Sequence, residues 1–75
     1  MKKKIMVIPG AKAQIPLICK LQEEGYCVVC VNPYKDSPAF SYADICEQGD
    51  ILDREFCLDV AKRHEVIAVL SDECD

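Results

Sequence analysis

The sequence predicts an α/β fold built on an open parallel sheet of four strands, and two patterns carry this prediction. Four short apolar runs alternate along the chain with segments of helical periodicity. Three of the runs, "KIMVI", "YCVVCV" and "VIAVL", are apolar at consecutive positions, as strands covered by helices on both faces must be. The expected order is strand, helix, strand, short helix, strand, helix, strand, with right-handed crossovers.

The first strand is predicted at residues 4–8 and leads into a helix that ends at Gly25. Pro16 fits the first helical turn, where its missing N–H needs no partner, and Gly25 suits a left-handed helix end. The apolar positions of this helix cluster on one face: Ile15, Leu17, Ile18, Cys19 and Leu21. The second strand follows at residues 26–31.

The second crossover is the least regular part of the sequence. Residues 32–43 contain two prolines, so only one or two helical turns are expected, around residues 39–42. The third strand, at about 44–48, has the sequence "DICEQ". It alternates in polarity and carries charge, which is typical of a strand at the edge of a sheet.

The last crossover is predicted as a helix from Asp53 to about His64. Asp53 is placed to cap its first turn, and its acidic start and basic end match the helix dipole. The predicted inward face consists of Phe56, Cys57, Val60, Ala61 and His64. The fourth strand follows at residues 66–70.

The polarity of the strands predicts the spatial order 3-2-1-4, which is that of one half of a doubly wound nucleotide-binding sheet, with helices on both faces. The fourth strand is then an edge, although no charge, proline or bulge signal protects "VIAVL" from pairing. We therefore expect the sheet to continue. Either residues 1–75 are the N-terminal part of a longer chain, which we favour, or the sheet continues across a homodimer.

Composition predicts one small cytoplasmic domain. Of the 75 residues, 51% are hydrophobic and 29% charged, and the net charge of -4 argues against a nucleic-acid partner, which needs a basic face. The apolar run after the lysines at positions 2–4 is too short for a signal peptide, and no run could cross a membrane.

The six cysteines, at positions 19, 27, 30, 46, 57 and 74, are expected to be unpaired thiols, several of them in the core. Cys27 and Cys30 have the C-x-x-C spacing of redox and zinc sites. They fall on the second strand, however, where residues three apart point to opposite faces. The motif therefore predicts two buried thiols under opposite helix layers.

Ligands of open parallel sheets bind beyond the carboxyl ends of the strands. The first of these ends, "PGAKAQ", opens a helix whose N-terminus favours an anion, and Lys12 stands beside it. The loop has one glycine where a dinucleotide fingerprint needs three. Asn32 also stands where an acidic residue would bind the ribose hydroxyls, so tight NAD binding is not expected.

Five segments together resemble a known family: "KIMVIPGAKAQIPLICKLQEEGY", "VVCVNP", "YAD" at 42–44, "GDILD" at 49–53 and "VLSDECD". They resemble the Rossmann-like N-terminal domain, called the preATP-grasp domain, of ATP-grasp ligases. Such ligases include biotin carboxylase, the large subunit of carbamoyl phosphate synthase and the carboxylate-amine ligases of purine biosynthesis. The resemblance covers essentially the whole chain, with one departure: the family commonly has Asp where this chain has Asn32.

The resemblance implies a ligase that uses ATP to activate a carboxylate as an acyl phosphate, which an amine or similar nucleophile then attacks. ATP and magnesium would lie in later ATP-grasp domains of the same enzyme, the implied partners, so residues 1–75 would bind no cofactor and be inactive alone. Their implied role is to hold the carboxylate or amine substrate, with no catalytic or metal-binding residue. The implied substrate-binding residues are Gly10, Ala11, Lys12, Gln14, Asn32, Asp50 and Asp72.

Structural interpretations of these residues stay open. Gly10 permits a tight turn, Lys12 suits the surface, Gln14 fits a first helical turn, and Asp50 and Asp72 fit turns or helix caps.

A second functional class also stays open. It is a nucleotide-sensing module like the NAD-binding domains that gate potassium uptake, which share a Gly-Asp after the third strand. The incomplete glycine fingerprint and Asn32 favour the ligase. His64, the only histidine, is expected simply to face the helix dipole.

Overall fold

The computed structural model describes residues 2–71, which form the predicted α/β fold. The elements are β1 (Lys4–Ile8), α1 (Ile15–Glu23), β2 (Cys27–Asn32), β3 (Ile45–Gln48), α2 (Arg54–His64) and β4 (Ala68–Ser71), with 3-10 turns at Lys12–Gln14 and Pro38–Ser41. The strands pair in parallel in the order β3-β2-β1-β4. The predicted strand order is therefore confirmed.

Two strands begin later than predicted because helix ends take up the preceding residues. The amide of Tyr26 donates to the Leu21 carbonyl at 3.0 Å, and the amide of Val66 donates to the Ala61 carbonyl at 3.1 Å. Each residue thus closes the last turn of a helix instead of joining the sheet. β2 accordingly spans residues 27–32 instead of 26–31, and β4 spans residues 68–71 instead of 66–70.

The central strands β1 and β2 are buried on both faces, and each face has its own core. The buried cluster on the α1 face consists of Val7, Ile18, Val28, Cys30 and Ala39. The buried cluster on the α2 face consists of Met6, Val29, Val31 and Val60. Helices therefore cover both faces of β1 and β2, as predicted. The same prediction is wrong for β4, which is exposed along its whole length because neither helix reaches this edge of the sheet.

The predicted helix ends are also confirmed. Asp53 caps α2, because its carboxylate accepts a hydrogen bond from the Phe56 amide at 3.1 Å. Gly25, which follows α1, has a φ of 96°, in the left-handed region that glycine adopts without steric strain. Among the residues described, no helix combines the length and the apolar character that a membrane crossing requires.

The cysteine prediction holds for the pairing state and only partly for burial. All the cysteines that the structure describes are free thiols. Cys30 is buried on the α1 face, and burial raises its pKa to about 12, so the thiol stays protonated. Cys27 is only half-buried because it is the first residue of β2, and Cys46 is exposed on the edge strand. Cys74 lies outside the described residues.

Two polar contacts fasten the edge strand β3 to its neighbours. At its start, the amide of Asp44 donates to the Val28 carbonyl at 3.0 Å, and the Asp44 carboxylate accepts from the Val28 amide at 2.8 Å. On the α2 face, Glu47 Oε2 lies 2.7 Å from His64 Nε2 and 3.1 Å from Arg63 Nη1. His64 thus contacts a carboxylate of β3, a partner that its position in the sequence did not indicate.

We predict that Asp44→Ala destabilises the fold by roughly 1.5–3 kcal/mol, because the partly buried Val28 amide loses a charged acceptor. Asp44→Asn is the matched control, since its amide oxygen can still accept that hydrogen bond. Urea unfolding of the three proteins measures the difference. Equal stability of the alanine variant and the wild type would show that the side chain does not fasten β3.

The Glu47 contacts predict a loss of stability in acid. The hydrogen bond from His64 and the charge of Arg63 hold the pKa of Glu47 below its usual value. Because the folded pKa is depressed, the stabilisation is present above the unfolded pKa and is lost as pH falls through the folded pKa, from about pH 5 downward.

Glu47→Gln should therefore reduce the stability at neutral pH and flatten its acid dependence. Urea unfolding between roughly pH 3 and pH 7 tests this, with Glu23→Gln on the exposed end of α1 as the control. An acid profile of Glu47→Gln with the same slope as the wild type would contradict the assignment.

Candidate functional site

The loops that follow β1 and β2 are joined at Gly10. The Gly10 amide donates to the Val31 carbonyl at 2.7 Å. Its carbonyl accepts two hydrogen bonds, from Asn32 Nδ2 at 3.1 Å and from Ser37 Oγ at 2.6 Å. Asn32 and Ser37 are buried, with 7% and 8% of their surface exposed. We call Gly10, Asn32 and Ser37 the Gly10 junction.

Gly10 packs against β2 more closely than any other residue type could. A Cβ at this position would lie 2.7 Å from the Cβ of Cys30 and 3.3 Å from the Val31 carbonyl oxygen. The first contact involves a side-chain atom bonded directly to the backbone, so it could not be relieved by a change of rotamer. Close approach therefore explains the glycine without any ligand.

Both polar atoms of the Asn32 side chain are used within the protein. Nδ2 donates to the Gly10 carbonyl, and Oδ1 accepts from the Tyr34 amide at 2.9 Å. An ionised aspartate could replace the second contact but has no hydrogen for the first. This geometry explains why asparagine and not aspartate stands at this position.

The loop after β1 is closed by hydrogen bonds between two of its own residues, Ala11 and Gln14. Gln14 Oε1 accepts from the Ala11 amide at 3.3 Å, and the Gln14 amide donates to the Ala11 carbonyl at 2.9 Å. Gln14 is buried, whereas Lys12 is exposed. The chain enters α1 through a 3-10 turn, and the Ala11 amide, which could have bound an anion, already has an acceptor.

The loop after β3 joins the same edge through its backbone. The Gly49 amide donates to the Asn32 carbonyl at 3.0 Å. Asp50 is exposed, and its carboxylate accepts from the Leu52 amide at 2.9 Å, which forms a local turn. A Cβ on Gly49 would run into the Phe56 ring, so this glycine also permits close packing.

The structure thus brings together some of the predicted residues. Gly10 and Asn32 are in direct contact, Ala11 and Gln14 contact each other, and Asp72 lies outside the described residues. Lys12 and Asp50 are exposed on loops at the same end of the sheet.

Ser37 is the member of the junction that sequence reasoning missed. It lies in the irregular crossover, where a serine before a proline predicts a turn and no particular partner. Within residues 2–71, no three carboxylate, thiol or imidazole side chains converge as metal ligands would.

Comparison with known proteins supports the fold. No family model matches the sequence, and no curated protein is significantly similar to it. Among solved structures, the chain is similar to a "putative epimerase" from Burkholderia cenocepacia, with a TM-score of 0.71 and 20% sequence identity over 99% of this chain. The chain spans about a quarter of the length of that protein, 25%. Together with the strand order, this similarity defines the class of protein as an α/β fold with a parallel sheet.

The Gly10 junction predicts that Asn32→Asp is destabilised at neutral pH, by about 1–3 kcal/mol or more. An ionised carboxylate would face the Gly10 carbonyl, acceptor against acceptor, in a buried position. Burial against the Gly10 carbonyl raises the folded pKa of that carboxyl, so the destabilisation is relieved as pH falls and the protonated acid donates to Gly10.

Urea unfolding of Asn32→Asp at neutral and mildly acidic pH measures this effect. Ser37→Ala is the control, because it removes one donor to the same carbonyl without adding a charge and should lose stability equally at both pH values. If Asn32→Asp is as stable as the wild type at neutral pH, the junction does not hold the loops together.

Proposed function

We propose that this chain is the substrate-binding N-terminal domain of a cytoplasmic, ATP-dependent carboxylate-amine ligase or a carbamoyl phosphate synthase-like ligase. The enzyme would act through an acyl phosphate, and residues 1–75 would be inactive by themselves. The observation that carries the proposal is the Gly10 junction. It holds the loops after the first two strands in one fixed arrangement. The first of these loops carries part of the resemblance to the family, and the second contains the departure at Asn32.

The junction supports a substrate-binding edge better than a dinucleotide site. A bound pyrophosphate needs free loop amides and close access to the backbone. Here the Gly10 amide bonds to Val31 and the Ala11 amide bonds to Gln14. These contacts argue against the alternative of an NAD-sensing regulatory module, which the Gly49-Asp50 pair alone would favour.

In this proposal, two exposed side chains at the carboxyl edge contact the substrate. The Lys12 ammonium would pair with a carboxylate, and the Asp50 carboxylate would pair with an amine. Gly10, Ala11, Gln14 and Asn32 shape and hold the loops. Asp72, the remaining residue that the resemblance implies, lies outside the described residues. We place ATP and magnesium in the other domains of the enzyme, and no step through them is derived from residues 1–75.

The first test is ligand binding by the chain itself. Calorimetric titration with NADH and with ATP should show no micromolar binding of either, because the Gly10 and Ala11 amides are occupied and the proposed ATP-binding domains are elsewhere. Micromolar NADH binding would overturn the proposal in favour of the regulatory module.

The second test is the polypeptide encoded beyond Asp75. The proposal expects a glycine-rich lid and a metal-binding Glu/Asn pair there, and ATP-dependent phosphate release that requires both a carboxylate and an amine. Lys12→Ala and Asp50→Asn should each raise KM for one of the two substrates more than they lower kcat. Lys20→Ala, on the exposed side of α1, is the control. A stop codon after Asp75 would contradict the ligase.

A further inference from the structure

The free edge of β4 presents backbone groups that no described residue satisfies. β4 pairs with β1 on one side, and the Ile67 amide donates to the Lys4 carbonyl at 2.8 Å. Because successive residues of a strand direct their N–H and C=O groups to opposite sides, Ala68 and Leu70 direct theirs away from β1. Two amides and two carbonyls therefore point outward along this edge.

The side chains of residues 67–70 are apolar and exposed on both faces of the sheet. Val69 is in register with Met6, so Val69 and Ile67 lie on the α2 face. Leu70 is in register with Val7 and lies on the α1 face. Ile67, Val69 and Leu70 are 56%, 47% and 36% exposed. Neither helix layer covers this strand, so another sheet has room to approach edge to edge.

The opposite edge of the sheet is built differently. Asp44, just before β3, binds the Val28 amide of the neighbouring strand. Glu47, on the α2 face of β3, is paired with His64 and Arg63. If β4 paired instead with the free edge of β3 in a second copy, this charged cluster would lie beside Val69 and Ile67. Pairing of β4 with itself avoids that contact, because residues 66–71 carry no charge.

Pairing of two copies about a two-fold axis perpendicular to the sheet gives a hydrogen-bond partner to each outward N–H and C=O group of Ala68 and Leu70. With the axis at Val69, Ala68 stands opposite the partner's Leu70 and exchanges both backbone hydrogen bonds with it, and the symmetric pair does the same. Val69 stands opposite the partner's Val69 as a non-hydrogen-bonded pair, in which side chains lie closest. The four outward groups are thereby paired, and apolar side chains cover one another on both faces.

We infer that the 75-residue chain associates through β4 into a two-fold dimer with one continuous eight-stranded sheet. The occupant of the edge is a second copy of this chain, paired antiparallel around Val69. This inference rests on the β4 edge alone and concerns the 75-residue chain, and its test does not depend on the chemistry of the proposed ligase. In a longer polypeptide a following strand would compete for the same edge.

Sedimentation equilibrium of the 75-residue chain, from low micromolar to near-millimolar concentration, tests the dimer. We expect a reversible monomer-dimer equilibrium, with the Ala68 and Leu70 amides protected from hydrogen exchange in the dimer. A chain that stays monomeric throughout this range would overturn the inference. So would open-ended association, because the two-fold arrangement closes at two copies.

Charged variants of Val69, the residue at the two-fold axis, test whether the two copies meet at β4. Val69→Lys and Val69→Glu place like charges opposite each other, so each variant alone should be monomeric at concentrations where the wild type is dimeric. An equimolar mixture of the two should dimerise again. Circular dichroism and urea unfolding confirm that each variant is folded.

Two further variants separate strand pairing from other apolar association. Leu70→Pro removes an outward amide without removing a hydrogen bond to β1, and it should weaken the dimer. Leu58→Lys, on the exposed surface of α2, should leave the dimer unchanged. The inference fails if Leu58→Lys abolishes association, or if both Val69 variants remain dimeric.

Discussion

The close approach of Gly10 to β2 is the constraint on which the carboxyl edge of the sheet depends. The loop after β1 can meet β2 only because residue 10 has no Cβ, which leaves its amide 2.7 Å from the Val31 carbonyl oxygen. The same approach buries the Gly10 carbonyl beside β2, where it needs donors. Asn32 and Ser37 supply them, so one glycine determines the roles of two polar side chains in a later part of the chain.

This arrangement makes the edge rigid at the expense of its capacity to bind anions through the backbone. Loops held by buried hydrogen bonds are well suited to present exposed side chains in fixed positions. The Gly10 and Ala11 amides are occupied within the protein, whereas the Lys12 and Asp50 side chains remain accessible to solvent. The groups that this edge offers to a ligand are therefore side chains, which is the basis for proposing a small charged substrate and not a dinucleotide.

The sequence was sufficient for the sheet and the helix faces because their signals are local and repeated. Consecutive apolar residues identified β1 and β2 as strands buried on both faces, although the same signal was misleading about the burial of β4. Asp53 and Gly25 marked helix ends through contacts within a few residues. The polar contacts of the site could not be predicted in this way. Ser37 Oγ and the Gly10 carbonyl are 27 residues apart, the Asp44–Val28 pair 16 and the Glu47–His64 pair 17. Nothing in the local pattern distinguishes these side chains from other surface polar residues.

The two edges of the sheet show how far the polarity of a strand reports on its surroundings. The sequence of β3 predicted a terminal edge, and its polar side chains are indeed bound to α2 and to the strand beside it. The sequence of β4 has the composition of an interior strand, yet it forms the other edge with both faces exposed. A strand without charge, proline or bulge is selected only where something covers it, because an open edge of this kind promotes uncontrolled pairing. The contrast between the two edges is the physical ground for proposing that the sheet is extended at β4, where the outward backbone groups of Ala68 and Leu70 would pair with an added strand.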